Sequence, residues 1–277
     1  MPMFSVIIPT YHRNDLLAKC LDCLTPGIQT LSGDQYEVIV TDDGRETTAE
    51  EMIREHYPWV KWAEGPCKGP AANRNNGSKV AQGKWLVFTD DDCLPDRQWL
   101  EFYQESIVPD IWVYEGKTTC LDGIRSPLEH APINLSGGYL WSCNLVLEKN
   151  FFENLNGFDE KFPYPHLEDV DLRDRIQNLG QQGVFVQEAI VDHPPRNLPW
   201  GDKLGAHHES DIYYYFCKRN QTISKTKILT QIVSCRMRKL AQHRLSLSSV
   251  KFFISMMVEI TYVFLNFESW KQKLEIL

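Results

Sequence analysis

Val87-Phe88-Thr89-Asp90-Asp91-Asp92-Cys93 sets three carboxylates directly after the apolar run Trp85-Leu86-Val87-Phe88. The run reads as a short buried strand. Such a strand gains no packing from three adjacent acids, which repel one another and lose hydration. A divalent cation with carboxylate ligands offsets that repulsion. The expectation is a metal at the end of a sheet strand, where open α/β sheets hold their ligands.

The layout recurs on the N-terminal side. Phe4–Pro9 reads as a buried strand, and Leu16, Leu17, Cys20, Leu21 and Leu24 follow at helical spacing. Tyr36–Thr41 is a second strand, ending at Asp42-Asp43-Gly44. A helix around Thr48–His56, a strand Val60–Trp62, the loop GPCKGPAANRNNG and a helix near Ala71–Ala81 complete the run. Alternating strands and helices predict an α/β fold, with a mostly parallel central sheet and helices on both faces. Each strand begins apolar and ends polar, the pattern of a ligand crevice at the carboxyl ends of strands.

Beyond the triplet the chain is looser, with Pro109, Gly116, Gly123, Pro127 and Pro132. Leu145–Leu147 reads as a strand and Phe151–Leu155 as a short helix. A capped helix opens at Glu168-Asp169 and ends by Gly180. A last strand, Val184–Val186, leads to Ile190-Val191-Asp192-His193.

The 277 residues are 43% hydrophobic and 24% charged, ordinary for a folded protein. The net charge of -8 is unevenly spread. Residues 1–211 hold 18 Lys/Arg against 34 Asp/Glu, and residues 212–277 hold 11 against 3. The split predicts different partners for body and tail. The acidic body and the lack of any recognisable module argue against nucleic acid. MPMFSVIIPTYHR is not the pattern of a secretory signal, and scattered cysteines point to a reducing cytoplasm. Cys20 and Cys23 form a lone CxxC within helical apolar spacing and read as core packing.

The tail is helical in pattern, and Phe252–Phe267 is strongly apolar with Glu259 inside. That stretch falls short of the roughly 20 apolar residues a spanning helix needs. The favoured reading is a helix lying on an anionic bilayer surface, with Lys218, Arg219, Lys225, Lys227, Arg236, Arg238, Lys239, Arg244 and Lys251 drawn to head groups. The alternative is that the tail packs on the acidic body or on a second subunit, as an oligomer. On the favoured reading the protein would be cytoplasmic and peripheral at the inner face of the plasma membrane.

FSVIIPTYHR, VIVTDDG, AANRNNG, FTDDDC and GFDEKF…LEDVDLRDRIQNLG occur in that order between about residues 4 and 195. Together they resemble the family 2 glycosyltransferases of the GT-A fold. The last segment is also similar to a C-terminal motif of galactosyltransferase-like and chondroitin-polymerase-like enzymes. The expected division is a nucleotide-binding half 1–95, an acceptor-binding half 96–200 and a basic helical tail 201–277.

The resemblance implies a metal-dependent, inverting transfer of sugar from a nucleotide diphosphate to a saccharide or lipid-linked acceptor. It implies that Asp43 accepts the N3–H of the base, which favours a UDP-sugar, or a dTDP-sugar, over a cytidine one. Pro9 and Tyr11 would lie under the base, and Arg74 near the nucleotide or bracing the acids. Asp92 would be the direct metal ligand and Asp90 a contact to ribose or metal-bound water. Asp91 is grouped with them as nucleotide-binding, without a separate task. His193 would be a further ligand for Mn2+ or Mg2+, with imidazole favouring Mn2+. Asp169 would be the catalytic base, with Arg173 four residues on to hold its carboxylate. Gly137, Gly138, Trp141 and Asn144 would shape the acceptor side.

Each reading has a plainer counterpart. Asp43-Gly44 also suits a turn, Glu168-Asp169 also favours a helix dipole, Lys68 reads as a solvated loop lysine, and Trp141 also suits a core. Two rival classes remain, a metal-dependent nucleotidyltransferase and a non-catalytic sugar-nucleotide or glycan-binding protein. The first would carry a basic glycine-rich loop where this chain has PTYHRND.

Overall fold

The computed structural model describes residues 1–275, packed as two compact units. The first comprises Met1–Leu121, Pro132–Glu160 and Glu168–Pro194, and the second Asp122–Ala131, Lys161–Leu167 and the chain from Pro195 on.

The first unit opens with β1 (Phe4–Thr10), α1 (Asn14–Leu24), β2 (Tyr36–Asp42), α2 (Glu50–His56), β3 (Val60–Glu64), α3 (Pro70–Val80) and β4 (Trp85–Phe88). Then come β5 (Leu94–Pro95), α4 (Trp99–Ser106) and β6 (Val113–Thr119). Its one sheet is completed by two later strands, introduced below with their helices. In the second unit β7 (Glu129–His130) pairs antiparallel with a later strand. The first unit resumes with β8 (Leu145–Glu148), α5 (Lys149–Asn154), α6 (Glu168–Asn178) and β9 (Val184–Asp192). The sheet order is β3-β2-β1-β4-β8-β6-β9-β5. Pairs β1–β2, β1–β4, β2–β3 and β6–β9 are parallel, whereas β4–β8, β6–β8 and β5–β9 are antiparallel.

Residue parity explains why the sheet is covered on both faces. Val6, Ile8, Val38, Val40, Trp85, Val87 and Val146 join one core with Leu17, Cys20 and Leu21 of α1. Their strand neighbours Ile7, Ile39, Leu86, Phe88, Leu145 and Leu147 join another with Phe152 of α5 and Leu172 and Ile176 of α6. Alternate side chains point to opposite faces, so continuous apolar strands require helices on each side. Of the CxxC pair, Cys20 is fully buried in the first core, whereas Cys23 is half-buried and outside it.

Register brings the strand ends together. Thr10 lies opposite Asp42, and Ile7 opposite Phe88, so the carboxyl ends of β1, β2 and β4 share one rim. Leu145 lies opposite Phe88 in the antiparallel pair, which sets the turn before β8 at the same rim. Asp192 pairs with both Leu94 and Thr119, carrying the end of β9 beside the acid triplet.

The loose middle of the chain contains α4 and the seven-residue strand β6, neither expected from pattern. In β6 the buried Glu115 and Gly116 interrupt the apolar signal. The two short apolar runs near the end form the single strand β9, with an irregularity in its pairing at Gly116/Lys117.

In the second unit β10 (Arg196–Asn197) is the partner of β7. It is followed by α7 (Gly201–Tyr213), a π-helical turn Tyr214–Lys218, α8 (Lys225–Ala241) and α9 (Leu247–Glu275). Ser224 caps α8 by accepting from Lys227 N. Ile212, Tyr213, Ile228, Ile232, Val263, Phe267 and Trp270 form its core. Gly201 permits close packing of α7 on α9, since a Cβ there would meet Ser255 O at 2.0 Å.

Helix α9 runs 29 residues, well beyond the expected Phe252–Phe267, and is long and apolar enough by composition to cross a membrane. Glu259, fully buried at its middle, receives Arg236 Nε at 2.9 Å and Nη2 at 2.8 Å, and lies 3.0 Å from His208 Nε2. The opposite side exposes Leu247, Val250, Phe253, Ile254, Met257, Phe264 and Leu265. At about 100° per residue these fall in one stripe.

Candidate active site

The acid triplet divides by partner. Asp91, fully buried, accepts Thr10 Oγ1 at 2.7 Å and Arg13 Nε at 3.1 Å, with Arg13 Nη2 at 2.5 Å from its other oxygen. Arg13 Nη1 also donates to Asp92 Oδ2 at 3.0 Å. Burial pushes the Asp91 carboxyl up, to about 7, against the lowering pull of Arg13 and Thr10. Asp91 is therefore turned toward the end of β1 and held by Arg13. Asp90 accepts Arg74 Nη2 at 2.7 Å.

Asp92 Oδ1 lies 3.3 Å from His193 Nε2. His193 is fully buried, and its Nδ1 is 3.0 Å from Pro194 O. A proton on Nδ1 donates to that carbonyl and leaves the Nε2 lone pair available. Nε2 makes no hydrogen bond despite its burial. The Cys93 thiol lies in the same cluster, with all three donor atoms within 4.8 Å of one another. Burial pushes the Cys93 thiol well up, and it donates to Cys143 O at 3.8 Å, so it remains a thiol. A carboxylate oxygen and an imidazole nitrogen at this spacing fit a divalent ion such as Mn2+.

The paired acids at the end of β2 have separate tasks. Asp42 caps its own turn, accepting Gly44 N at 2.8 Å and Ala49 N at 2.6 Å. Asp43 is aimed by the loop before α3, with Cys67 N donating to Oδ1 at 2.9 Å and Gly69 N to Oδ2 at 3.1 Å. Burial raises its pKa in spite of those two amides. Gly65 leaves room for this carboxylate, since a Cβ there would meet Asp43 Oδ1 at 2.2 Å. Asp43 N donates to Thr10 O at 3.0 Å, which brings the acid to the end of β1. Pro9 is buried within β1, while Tyr11 is 61% exposed with its ring 4.2 Å from that of His12. Lys68 is exposed.

Arg74 is buried on α3 and joins two regions. Its Nη2 reaches Asp90 and its Nη1 lies 3.4 Å from Glu168 Oε1, at the start of α6. Burial opposes its charge, but Asp90, Asp169 and Glu168 outweigh that and raise its pKa. The next residue of α6, Asp169, accepts Ser142 N at 3.2 Å and Ser142 Oγ at 3.3 Å, both on Oδ2. Burial raises the Asp169 pKa against Arg74 and Ser142.

Arg173 does not hold Asp169, contrary to expectation. It lies 3.6 Å from Asp174, and the fourth-residue pair on this helix is Asp171–Arg175 at 2.9 Å. The two residues share a helix face, but the Asp169 carboxylate is taken up by Ser142 and the Arg173 guanidinium by Asp174. Asn144 is buried structure: its side chain receives Trp99 Nε1 and Tyr103 Oη and donates to Lys117 O and Ala189 O. Gly138 N, Tyr139 N, Leu140 N and Asn134 Nδ2 all donate to the buried Glu115 carboxylate.

Pattern reading missed Arg13, Thr10, Glu168, Ser142 and Glu115. Arg13 had a signal, since a buried acid triplet needs a nearby cation and PTYHR supplies one just past a strand. Ser142 had none, because its partner lies on a distant helix.

Residues 5–107 match the family described as Glycosyl transferase family 2. The glycosyltransferase AglE of Haloferax volcanii is 37% identical over 228 residues, 74% of this chain and 70% of AglE. S. aureus TarS 1–349 in complex with UDP-GlcNAc is similar with a TM-score of 0.56 at 17% identity, over 99% of this chain and 92% of that one. The mannosyltransferase PcManGT of Pyrobaculum calidifontis, in complex with GDP-Man and Mn2+, gives 0.58 at 16%, over 99% and 86%. The chain belongs to glycosyltransferase family 2, adopts the GT-A fold and is a glycosyltransferase.

Proposed function

We propose that the chain is a metal-dependent, inverting hexosyltransferase. It moves a sugar from a UDP-sugar, with a dTDP-sugar as the alternative, to a hydroxyl of a glycan or lipid-linked saccharide in surface polysaccharide or glycolipid synthesis. The observation that carries this is the Asp92–His193 pair, 3.3 Å apart at the strand rim, with the Asp169 carboxylate on a separate element. Residues 1–95 are read as the donor half, 96–200 as the acceptor half and 201–277 as the tail.

Asp92 and His193 would hold Mn2+ or Mg2+, whose charge offsets that of the departing nucleoside diphosphate. Asp90 serves the ribose side, and Asp91 acts through Arg13 to fix the triplet. Asp43, aimed by two backbone amides, suits the imide N3–H of uracil or thymine, with Pro9 and Tyr11 beneath the base. Arg74 braces Asp90 against the helix that carries the base. The acceptor hydroxyl gives its proton to Asp169 as its oxygen bonds to the anomeric carbon. The bond to the diphosphate oxygen breaks on the opposite side, with its electron pair leaving on the diphosphate.

The exposed stripe of α9 and the basic tail support peripheral contact with an anionic membrane, at the inner face of the plasma membrane. A second copy on the same stripe would bring two basic tails together, so a lipid surface is the better match.

The test is release of UDP from UDP-sugars with Mn2+ and saccharide acceptors. Asp92→Ala should abolish it, whereas Asp169→Ala should lose transfer yet retain the thermal shift produced by UDP and Mn2+. Full transfer by Asp169→Ala would overturn the base assignment.

A further inference from the structure

We propose that Ser142 is the positioning residue of the proton-accepting carboxylate. Its N–H and its hydroxyl both hold Asp169 Oδ2, leaving Oδ1 to take the acceptor's proton. The proposal rests on the reading of Asp169 as the base.

Ser142 N donates to Oδ2 at 3.2 Å and Ser142 Oγ at 3.3 Å, from a serine that is 3% exposed. Oδ1 of the same carboxylate is buried and has no hydrogen-bond partner among the described residues. A buried carboxylate oxygen without a donor is costly to keep, so an incoming hydroxyl is favoured there. The two oxygens are thereby made unequal. Fixing one of them also fixes the direction in which the other points.

The remaining charge around Asp169 comes from three directions. Arg74 approaches from α3, Asp90 from the end of β4, and Glu168 precedes it on α6. The Cys143 thiol, next to Ser142, is pushed upward by burial and stays uncharged. The Ser142 hydroxyl can be removed without changing any of these charges, while its N–H stays in place. In the reaction the proton moves from the acceptor oxygen to Oδ1, that oxygen bonds to the anomeric carbon, and the diphosphate leaves with the electron pair.

The closing experiment has two independent readouts. In the free protein, the Asp169 carboxyl resonance is identified by carbon-13 labelling and by its loss in Asp169→Asn. Its titration should move up by roughly one unit in Ser142→Ala, since a hydrogen bond to the charged form is lost. Ser142→Thr keeps the hydroxyl and should titrate as wild type. In transfer assays with UDP-glucose, UDP-N-acetylglucosamine and dTDP-glucose, Mn2+ and alkyl glycosides, Ser142→Ala should lower kcat roughly tenfold. Donor KM should stay unchanged, and the acid limb of the kcat profile should move to higher pH. Ser142→Thr should keep the wild-type limb, a rescue that general damage to packing would not produce. An unchanged titration in Ser142→Ala overturns the contact, and a shifted titration with wild-type turnover overturns the positioning role. Transfer retained by Asp169→Asn overturns the base reading itself, whatever Ser142→Ala does.

Discussion

Arg74 Nη2 donates to Asp90 Oδ1 at 2.7 Å from a guanidinium that is almost wholly buried. The other arm of that guanidinium reaches Glu168. Removing the cation leaves two carboxylates in a poorly solvated place. Arg74→Met should therefore destabilise the protein by about 3–5 kcal/mol, read from denaturant midpoints. Arg74→Lys should rescue only part of this, because an ammonium lacks the fork that spans both acids. Wild-type stability in Arg74→Met would show that the bridge contributes nothing.

Asp92 and His193 are separated by about half of the domain in sequence and meet because β9 pairs with β5 directly after the triplet. Titrating Mn2+ by electron paramagnetic resonance should show a site lost in both Asp92→Asn and His193→Ala. The expected loss is at least the 10–100-fold cost of disturbing an outer-shell partner. Cys93→Ser should keep the site, since the thiol is held protonated by burial. A site that survives Asp92→Asn but not Cys93→Ser would reverse the ligand assignment.

The neighbours Asp42 and Asp43 should be told apart by the response to UDP. Asp42→Asn disturbs a capped turn and should lower the melting temperature. Asp43→Asn, which also gives up an acceptor for a backbone amide, should lower the melting temperature of the free protein as well, but it alone should remove the shift produced by UDP with Mn2+. Equal UDP shifts in wild type and Asp43→Asn would exclude a role for this carboxylate at the base.

The buried polar cluster of the helical unit makes a pH prediction. Burial alone would lower the His208 pKa, but hydrogen bonds to Asp211 and Glu259 outweigh it and push the value up to about 9. The unfolded value is about 6.5, so the stabilisation is complete below that pH and is lost as pH rises through 9. Asp211 and Glu259 are held below the ordinary carboxylate range and stay ionised throughout this window. His207, lowered by burial and by His166 and His208, acts in the opposite sense, but only below pH 6.5. Lys239, lowered to about 8 by burial, acts in the opposite sense above that pH, so stability between pH 6.5 and 9.5 should fall by no more than about 3 kcal/mol. His208→Gln should flatten the slope, and an equal slope in that variant would assign it elsewhere.

The stripe on α9 predicts graded lipid binding. Wild type should sediment with vesicles of phosphatidylglycerol and phosphatidylcholine more than with phosphatidylcholine alone, and salt should weaken it. Phe253→Asp with Leu265→Asp should reduce binding by tenfold or more, since each buried side chain contributes about 1.5–3 kcal/mol. Helix content by circular dichroism should be unchanged. Resistance to carbonate extraction would instead show that α9 spans the bilayer and that the Glu259 network gives way.

The rim of the first unit was legible because β1, β2 and β4 are apolar runs that stop at polar residues. Local pattern carries that signal without any knowledge of partners. The two acids at the end of β2 could not be told apart, since their difference lies in which amides face them. Strand β6 was hidden by a buried glutamate and a glycine in positions where a pattern expects apolar residues. Arg173 was assigned by helix spacing, yet spacing says nothing about partners outside the helix, such as the Ser142 that takes up Asp169. The length of α9 escaped because its ends, with Ser248, Ser249 and Lys251 on one side and Glu268, Lys271 and Lys273 on the other, are too polar to read as part of the apolar run.

Glu115 stands behind the turn that carries Trp141 and Ser142 and takes hydrogen bonds from the backbone of Gly138, Tyr139 and Leu140. One side chain does there what a neighbouring strand does elsewhere in the sheet. The turn is consequently a preset fixture, with its shape determined from the interior. Under the proposed function, acceptor preference can drift through the side chains at 139 and 141 while the backbone beneath them stays put. Insertions at this turn should be selected against far more strongly than substitutions on its outer surface.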